Sequence, residues 1–594
     1  MLLSDFDEAN RCYNRSVELL EEKDPLYSKV EQNIGVLFCM TGDYLKAIGC
    51  YQKAYLQLTH NQTKCRNGAA ALLIDLGSAC SMADQYELAL DYFKRAEKII
   101  SHRECVDTML LIRAMMNMGF LYNRLKEPVK ALKVFRSAER SFSQFNRSLS
   151  DDYLSLATGI AESFLLQHQY DSSMNRLSII EGYLLDCKTI DSLWLAKIYT
   201  KRGEACEGKN QWQSSISFYR QSRQLLSQNL NQNEQNKLTM LVSAIELCSV
   251  NGKLAHVYVN QWERNHDQDL LKLALDCYHQ TLKLAKKVNG LLKTDGARFL
   301  FNESLSSSFY GAMETSYLLK DRDPVMVYEE LFGIAEESRN MILNDDLKLR
   351  NARLLHAIPD SLRNLEESLL DKISKTSQCL NSNPEFSFEE NTIHFRSLLN
   401  YWLKLQNQLV MLQETFMQFP GYRKTIQIQD ESASLKRIRN RMAAREGILE
   451  YFIGDSSLYI FVIKKDSSLV KRATLDSGFR GIVSDFKKCL KEADLPVFRL
   501  ISDKLYKQLI TPVKPFLKDL NKLIIIPGGP LVNLPFEVLH DSDSGNQDGY
   551  LVNNFEIVYH FSATLWAQSS QIIPDSAGWI HYAGFAPCWI PSGP

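Results

Sequence analysis

Small residues recur at one fixed interval in the N-terminal part of the chain, and this interval constrains the fold more than any other feature. The small residues are Ala47, Ala89, Ala131, Ser173 and Ser215, each 42 positions after the one before. Twelve positions before each stand Gly35, Gly77, Gly119, Ala161 and Gly203, and four positions after each stand Tyr51, Phe93, Phe135, Leu177 and Tyr219. Small side chains let two antiparallel helices approach closely, and a large side chain one turn later fills the gap between neighbouring pairs. The pattern predicts five stacked helical hairpins in an α-solenoid.

The repeat continues more weakly on both sides of these five units. An earlier second helix, whose first helix is missing, is indicated by Phe6, Ala9 and Tyr13. A sixth hairpin is expected to begin near Leu254, with an inserted loop at 261–267, and a seventh to pair residues 299–319 with 324–343. About seven hairpins, the first of them incomplete, are therefore predicted over residues 1–345, and a helix without its partner at the start would expose an apolar face.

Two segments without the repeat follow, and both are amphipathic. In IPDSLRNLEESLLDKI and HFRSLLNYWLKLQNQLVMLQETF, apolar residues recur every three to four positions. This spacing predicts a helical hairpin, which we assign to a connector at residues 346–431.

From Ile448 the hydrophobic period changes to two. The stretches ILEYFIG and SLYIFVIKK predict a β-hairpin, and apolar Leu523–Ile526 predicts a buried strand. A further strand is expected near Phe555–Tyr559, followed by a helix with Ser562 as its N-cap. Residues 432–594 are thus predicted to belong to an α/β domain.

Composition excludes several functional classes. The net charge of −1 gives no general attraction to nucleic acid, and no apolar run approaches the length of a membrane span. The 13 cysteines are scattered without a Cys-x-x-Cys pair, which argues against structural zinc and favours free thiols in a reducing cytoplasm. We expect no metal, no cofactor, no nucleic acid and no membrane contact.

Both parts of the chain resemble known families. The order glycine, aromatic, alanine, aromatic is similar to the tetratricopeptide repeat (TPR), whose longer 42-residue form occurs in kinesin light chain. In the α/β part, a strand, a Pro-Gly turn, "LPFE", a tyrosine-containing strand and "SATL" resemble the first half of a CHAT domain, the caspase-like module that follows TPR repeats. The resemblance implies a multidomain fold: an all-α TPR superhelix, a helical hairpin and an incomplete α/β caspase-like domain. It also suggests a bacterial origin.

The resemblance implies a catalytic pair that this sequence does not carry. CHAT peptidases use a histidine in a His-Gly turn and a cysteine in Ser-Ala-Cys, and neither motif is present in the α/β part at residues 432–594. His581 is not followed by glycine and Cys588 is not in Ser-Ala-Cys, so we interpret both as ordinary residues, and likewise His540 and His560. No catalytic residue is predicted.

Two further motifs have ordinary structural explanations. Pro527-Gly528-Gly529-Pro530 lacks the Gly-Lys-Ser/Thr of a phosphate loop, and we expect a tight structural turn. The basic run KRIRNRMAAR, which contains Lys436 to Arg445, could meet nucleic acid or an acidic partner, but it is interpreted as a solvated helix face.

The TPR groove is the predicted working surface. The first helices line the concave side of such a solenoid. In the third repeat, Arg113, Met116, Phe120, Asn123 and Arg124 should face it, a mixture suited to a peptide with an apolar anchor and an acidic group. The alternative is that Met116 and Phe120 only pack against neighbouring hairpins.

These observations predict a cytoplasmic TPR scaffold that binds a protein or peptide. It would be the regulatory portion of a CHAT-domain, caspase-like cysteine peptidase and not itself catalytic. The alternative is a non-enzymatic TPR adaptor with a degenerate CHAT domain.

Overall fold

The computed structural model describes most of the chain. The described residues are 24–40, 42, 44–60, 66–101, 107–144, 150–186, 191–232, 237–292, 295–319, 325–339, 359–381, 434–476, 478–492, 495–532, 534–544 and 549–569, with individual residues in 12–20 and 401–419. His581, Cys588, Phe6 and Ala9 lie outside them. The chain divides into two compact units, Met1–Asp430 and Glu431–Pro594.

The first unit opens with five helical hairpins, which we call the repeat region together with the helices that follow them to residue 339. The pairs are α1 Pro25–Met40 with α2 Tyr44–His60, α3 Arg66–Met82 with α4 Tyr86–Ile100, α5 Thr108–Arg124 with α6 Pro128–Gln144, α7 Asp151–Leu166 with α8 Tyr170–Leu185, and α9 Ser192–Gly208 with α10 Trp212–Gln232. Each helix packs against its partner and against the next hairpin. The predicted solenoid with its 42-residue period is confirmed.

The repeated small residues lie where the two helices of a hairpin touch. Ala47, Ala89 and Ala131 are fully buried, and so are the serines that replace alanine in the fourth and fifth hairpins. The hydroxyl of Ser173 donates to the carbonyl oxygen of Ala161 at 3.0 Å, and that of Ser215 to Gly203 at 2.9 Å. Serine is tolerated at this contact because the first helix supplies an acceptor for its hydroxyl.

The turn inside each hairpin also repeats every 42 residues. One residue per turn has a positive φ between 58° and 78°: Gly42, Asp84, Lys126, His168 and Asn210. The next N–H then returns to a carbonyl of the first helix, as in Glu127 to Tyr122 at 2.8 Å and Gln211 to Cys206 at 2.8 Å. This is the left-handed helix stop of a Schellman motif.

The starts of the first helices are also fixed by side chains. Asp107, Ser150 and Asp191 accept hydrogen bonds from backbone N–H groups at the beginnings of α5, α7 and α9. An N-cap of this kind satisfies donors that have no partner within the helix.

The sixth hairpin is longer than predicted. Its first helix, α11 Lys237–Asn265, has 29 residues, and its second is α12 Gln268–Leu291. The prediction that the hairpin begins near Leu254 with a loop at 261–267 is wrong, because helix continues to Asn265 and only two residues separate it from α12. No proline interrupts this stretch, so the extra length is helix.

Four further helices follow among the described residues of the first unit. They are α13 Asp295–Ser304, α14 Ser306–Leu318, α15 at 325–339, and α16 Asp360–Asn381 in the connector. Leu369 of α16 forms an apolar cluster with Leu405, Leu409, Leu412 and Phe416, whose described neighbours are also helical. This is the pairing expected of the predicted helical hairpin.

In its described residues, the second unit is a five-stranded mixed sheet with helices. Its elements are α17 Leu435–Arg441, β1 Glu446–Ile453, β2 Ser457–Ile463, β3 Ser468–Thr474, α18 Phe479–Glu492, α19 Leu495–Leu509, α20 Lys514–Leu517, β4 Lys522–Ile526, β5 Glu556–Tyr559 and α21 Ala563–Ser569. The strand order is β3-β2-β1-β4-β5, antiparallel among β1, β2 and β3 and parallel from β1 to β4 to β5. The predicted β-hairpin is formed by β1 and β2. The predicted buried strand is β4, and the predicted strand that contains Tyr559 is β5.

Both faces of the central strands are buried. Leu449 and Tyr451 point into a cluster with Phe486 and Leu505 of α18 and α19, while Phe461 of β2 is fully buried without belonging to that cluster. Burial on both faces explains why the central strands are almost continuously apolar. Strand β3 was not predicted, because as an edge strand it is half exposed and carries polar residues.

Candidate functional site

The first helices of successive hairpins contact one another directly: α3 with α5, α5 with α7, α7 with α9, and α9 with α11. We call the surface formed by these helices and α1 the first-helix face. Side chains that cross from one first helix to the next come from different hairpins, so they tie neighbouring repeats together. They also define what this surface offers to a partner.

In the first three hairpins, Asp75 is the centre of such a crossing. Its carboxylate accepts from Nε2 of Gln32 at 2.7 Å and from a guanidinium nitrogen of Arg113 at 3.3 Å. Burial raises the pKa of Asp75, and the hydrogen bond from Gln32 and the charge of Arg113 oppose that rise. The predicted groove residue Arg113 therefore lies on the first-helix face, half exposed and paired across two hairpins.

The predicted groove residues Met116 and Asn123 are both buried. Met116 packs in the apolar cluster of the third hairpin. The amide of Asn123 donates to Gly159 at 3.1 Å and accepts from Ser163 at 2.8 Å. These two residues hold α5 against α7, so their side chains are not displayed to a partner.

Phe120 and Arg124 complete the predicted set. Phe120 is partly buried and packs edge-on against Phe135, with ring centroids 5.2 Å apart. Arg124 is exposed, with its guanidinium 3.0 Å from Asp84 and 5.6 Å from the ring centroid of Tyr86. The five residues therefore divide into packing residues and two exposed arginines, and the identity of the groove residues stays a prediction.

A second crossing network spans the fourth to sixth hairpins. Lys201 of α9 lies 3.7 Å from Glu162 of α7 and 3.1 Å from Glu204, and Glu204 also pairs with Lys253 of α11. Burial acts to raise the pKa of Glu204, but the two lysines outweigh it and hold that pKa below its usual value. Burial likewise acts to lower the pKa of Lys201, while Glu204 and Glu162 raise it. Sequence reasoning missed this network, because its links from Lys201 to Glu162 and from Glu204 to Lys253 join different hairpins and carry no pairing signal in the sequence.

Glu207 extends the network by one turn of α9. Its carboxylate accepts from the hydroxyl of Tyr219 at 3.0 Å and contacts Nδ1 of His256 at 2.9 Å. The hydrogen bond with Glu207 raises the pKa of His256. A recess of about 340 Å³ lies beside these groups, lined in part by Glu162, Leu166, His168, Tyr170, Lys201 and Glu207.

In the second unit, the LPFE segment is fixed by the strand that follows it. The hydroxyl of Tyr559 in β5 accepts from the backbone N–H of Phe536 at 2.7 Å and donates to Glu537 at 2.6 Å. Burial and then the hydrogen bond to Glu537 raise the pKa of Tyr559. Ser562 caps α21 by accepting from Leu565 N–H at 3.1 Å, as predicted.

Two family models match this chain. The CHAT domain model matches residues 499–578, and the tetratricopeptide repeat model matches residues 26–101. The chain combines TPR repeats with a C-terminal CHAT domain. Hereafter the repeat region is the TPR region, and residues 434–569 are described as the CHAT part. A search of curated proteins found no match.

Solved structures resemble the chain in part. BtubC (BKLC) from P. vanneervenii has 12% identity and a TM-score of 0.32, over 38% of this chain and 89% of that one. The apo quorum sensor NprR from B. thuringiensis has 16% identity and a TM-score of 0.33, over 58% and 92%. The Rap conjugation regulator of plasmid pLS20 with its Phr* peptide has 12% identity and a TM-score of 0.30, over 63% and 97%. At these scores we draw no conclusion from them.

The Pro-Gly turn of the CHAT part is held by a lysine. Gly529 has φ of 52° and begins a short 3-10 turn, and Nζ of Lys487 donates to the carbonyl oxygens of Pro530 at 3.2 Å and Val532 at 2.9 Å. A lysine bound to the turn's own carbonyls stabilises the loop. The prediction of a structural turn is consistent with this arrangement.

The basic run is only partly solvated. Leu435 and Ile438 of α17 are buried, as is Met442 directly after it, while Arg439 donates a hydrogen bond to the hydroxyl of Ser468. Arg441 lies over the ring of Trp566, 4.9 Å from its centroid. The remaining cations of the run, Lys436, Arg437 and Arg445, are exposed.

The histidines of the CHAT part have structural surroundings. His540 packs edge-on against Tyr550, with ring centroids 4.9 Å apart. Burial, and then the charge of Arg441, lower the pKa of His560. Within the described residues, no group of three or more His, Cys, Asp or Glu could hold a metal ion, and none of the described helices could cross a membrane.

Proposed function

We propose that this chain is the protein-interaction and regulatory portion of a CHAT-type, caspase-like cysteine peptidase. Its TPR region would bind a protein or peptide segment on the first-helix face. The observation that supports this proposal is the direct contact between the first helices of successive hairpins. Such contacts make one continuous surface whose polar groups come from several repeats.

The exposed groups of the third hairpin favour one class of partner. Arg113 and Arg124 can bind carboxylates bidentately, and each is already held near an aspartate that fixes its position. Phe120 is the partly buried aromatic residue between them in sequence. We expect a peptide with an acidic group near an apolar side chain, and Met116 and Asn123 would act only by packing.

The CHAT part is proposed to serve regulation and not catalysis. His-Gly and Ser-Ala-Cys are absent from residues 432–594, and the Ser78-Ala79-Cys80 of the sequence lies in the repeat helix α3, so we expect no peptidase activity from these residues. We propose domain boundaries at 1–345 for the whole TPR domain, 346–431 for the connector and 432–594 for the whole CHAT-like domain. The proposed location is the bacterial cytoplasm, without a cofactor, nucleic acid or membrane.

A displayed random-peptide library panned against the full chain tests the proposal. Arg113 and Arg124 are replaced together by alanine, and the matched control replaces Arg136 and Arg140, two exposed arginines on α6 of the same hairpin. We expect enrichment of peptides that pair an acid with an apolar residue, lost in the first variant and kept in the second. Absence of enrichment, or equal enrichment in both variants, would contradict the proposal.

A further inference from the structure

Ile373 of the connector helix α16 belongs to two apolar clusters at once. It packs against Leu369, Leu405 and the other leucines of the connector. It also packs against the cluster of the first hairpin, around buried Ile34 of α1 and Cys50 of α2. One side chain therefore links the connector to the N-terminal end of the TPR region.

The rest of that first cluster comes from the chain just before α1. Tyr13 and Val17, together with Val30 and Phe38 of α1, surround Ile34 and Cys50. Tyr13 and Val17 lie among helical residues that precede α1. Here the cover is assembled from residues that precede α1 and from a helix that follows all the TPR hairpins.

The pattern of burial along α16 supports a helix used on one face. Leu369 and Thr376 are buried on the side of Ile373, at spacings of four and three residues from it. Leu365 and Leu370 are instead 47% and 46% exposed. The face that carries Ile373 is the packed one, so its contact with the first hairpin is part of the fold of the first unit.

We propose that α16 is a built-in cover of the first hairpin. It covers the first hairpin with a side chain of the same chain and thereby couples that hairpin to the connector. This goes beyond the proposed binding function, because it assigns a conformational role to the contact. A change in the first hairpin is transmitted to α16, and a change in α16 is transmitted to the first hairpin. The coupling is thermodynamic and reciprocal, since each helix protects the other only while they are in contact.

Hydrogen–deuterium exchange of the full chain tests the proposal, with one variant on each side of the contact. Val30→Ala shortens a side chain of α1, and Ile373→Ala shortens the linking side chain of α16. Each is expected to speed exchange about tenfold in both residues 25–40 and residues 360–381. Exchange in α5, at residues 108–124, should not change. Matched controls are Val36→Ala, 41% exposed on α1, and Leu370→Ala on α16, which should leave the opposite helix unchanged.

The decisive readout is the effect of Val30→Ala on α16, which is remote in sequence. If exchange rises only in α1, the two helices are not coupled and the proposal is wrong. If Ile373→Ala lowers helicity throughout the chain, Ile373→Val replaces it, and about threefold faster exchange in α1 is then expected. Unchanged exchange in α1 with Ile373→Val and in α16 with Val30→Ala would overturn the proposal.

Discussion

The Cβ atom of any side chain at Gly119 would lie 2.4 Å from Cε1 of Phe135, closer than two carbon atoms can pack. The same relationship joins Gly35 to Tyr51 at 2.6 Å, and it recurs for the glycines of the second and fifth hairpins. Glycine and aromatic ring are therefore one packing unit. The fourth hairpin, which departs from the pattern, changes both members: Ala161 carries the extra carbon atom and Leu177 replaces the ring.

Gly119→Ala should lower the free energy of unfolding of the TPR region by about 2 kcal/mol, because the ring of Phe135 is fully buried and cannot move aside. Urea unfolding followed by circular dichroism would measure it. Gly182→Ala is the control: no atom lies within 4 Å of its added carbon, so helix propensity should raise stability by about 0.5–1 kcal/mol.

The double variant Gly119→Ala with Phe135→Leu copies the fourth hairpin. We expect it to be more stable than the sum of the two single changes, with a coupling of about 1 kcal/mol. If the two changes in the free energy of unfolding are strictly additive, Ala161 and Leu177 do not compensate for each other in the fourth hairpin.

Lys126→Gly should raise the free energy of unfolding by about 1 kcal/mol, because Lys126 has φ of 58° and glycine adopts this conformation without strain. Lys133→Gly, an exposed site within α6, should lower it by a similar amount of about 1 kcal/mol. Thermal unfolding of the two variants gives the comparison. If Lys126→Gly and Lys133→Gly lower the free energy of unfolding equally, lysine does not strain the turn.

Tyr559→Phe should destabilise the CHAT part by about 1 kcal/mol, because the N–H of Phe536 and the carboxylate of Glu537 lose a shared hydroxyl partner. Tyr550→Phe is the control, since its ring contact with His540 is retained. Hydrogen exchange at residues 534–539 should rise only in the first variant. No rise there would mean that Tyr559 does not order the LPFE segment.

Glu204→Gln and Asp75→Asn should respond oppositely to pH. The folded pKa of Glu204 is lowered, so its stabilisation is complete above the pKa of an unfolded glutamate and is lost as pH falls through the folded value. Glu204→Gln should therefore cost about 1 kcal/mol at pH 7 and little once the pH has fallen below the lowered pKa of folded Glu204. The folded pKa of Asp75 is raised, so its favourable contribution is present at low pH and lost as pH rises.

Accordingly, any loss in the free energy of unfolding caused by Asp75→Asn should be greatest at low pH. At pH 7 the loss should disappear or become a gain. Denaturant titrations at several pH values would measure both variants. A loss of stability at pH 7 in Asp75→Asn as large as that in Glu204→Gln would contradict the assigned pKa directions.

The sequence predicts the hairpins well because close helix contact demands a small side chain at one position, and glycine, alanine and serine are visible in one-letter code. The turns were not predicted, since four of their five left-handed residues are not glycine, and Lys126 and His168 carry no turn signal. The long helix α11 was also missed, because no sequence signal marks its start and its length breaks the 42-residue register.

The candidate site was less predictable than the fold. Helical spacing placed Arg113 and Arg124 on a first helix, but burial of Met116 and Asn123 depends on α7, which a single-helix pattern does not reveal. The network of Glu204 with two lysines joins residues from adjacent hairpins. Such pairs follow from the stacking geometry, and charged residues are too common for spacing alone to identify them.

The central claim is that the first-helix face binds the partner. The most direct test measures, by fluorescence anisotropy, the Kd of the best panned peptide for the wild-type chain and for the two double variants. We predict at least a roughly tenfold weaker Kd, about 1.4 kcal/mol, for Arg113→Ala with Arg124→Ala, and no change for Arg136→Ala with Arg140→Ala. An unchanged Kd in the first variant, or a loss confined to the second, would contradict the account.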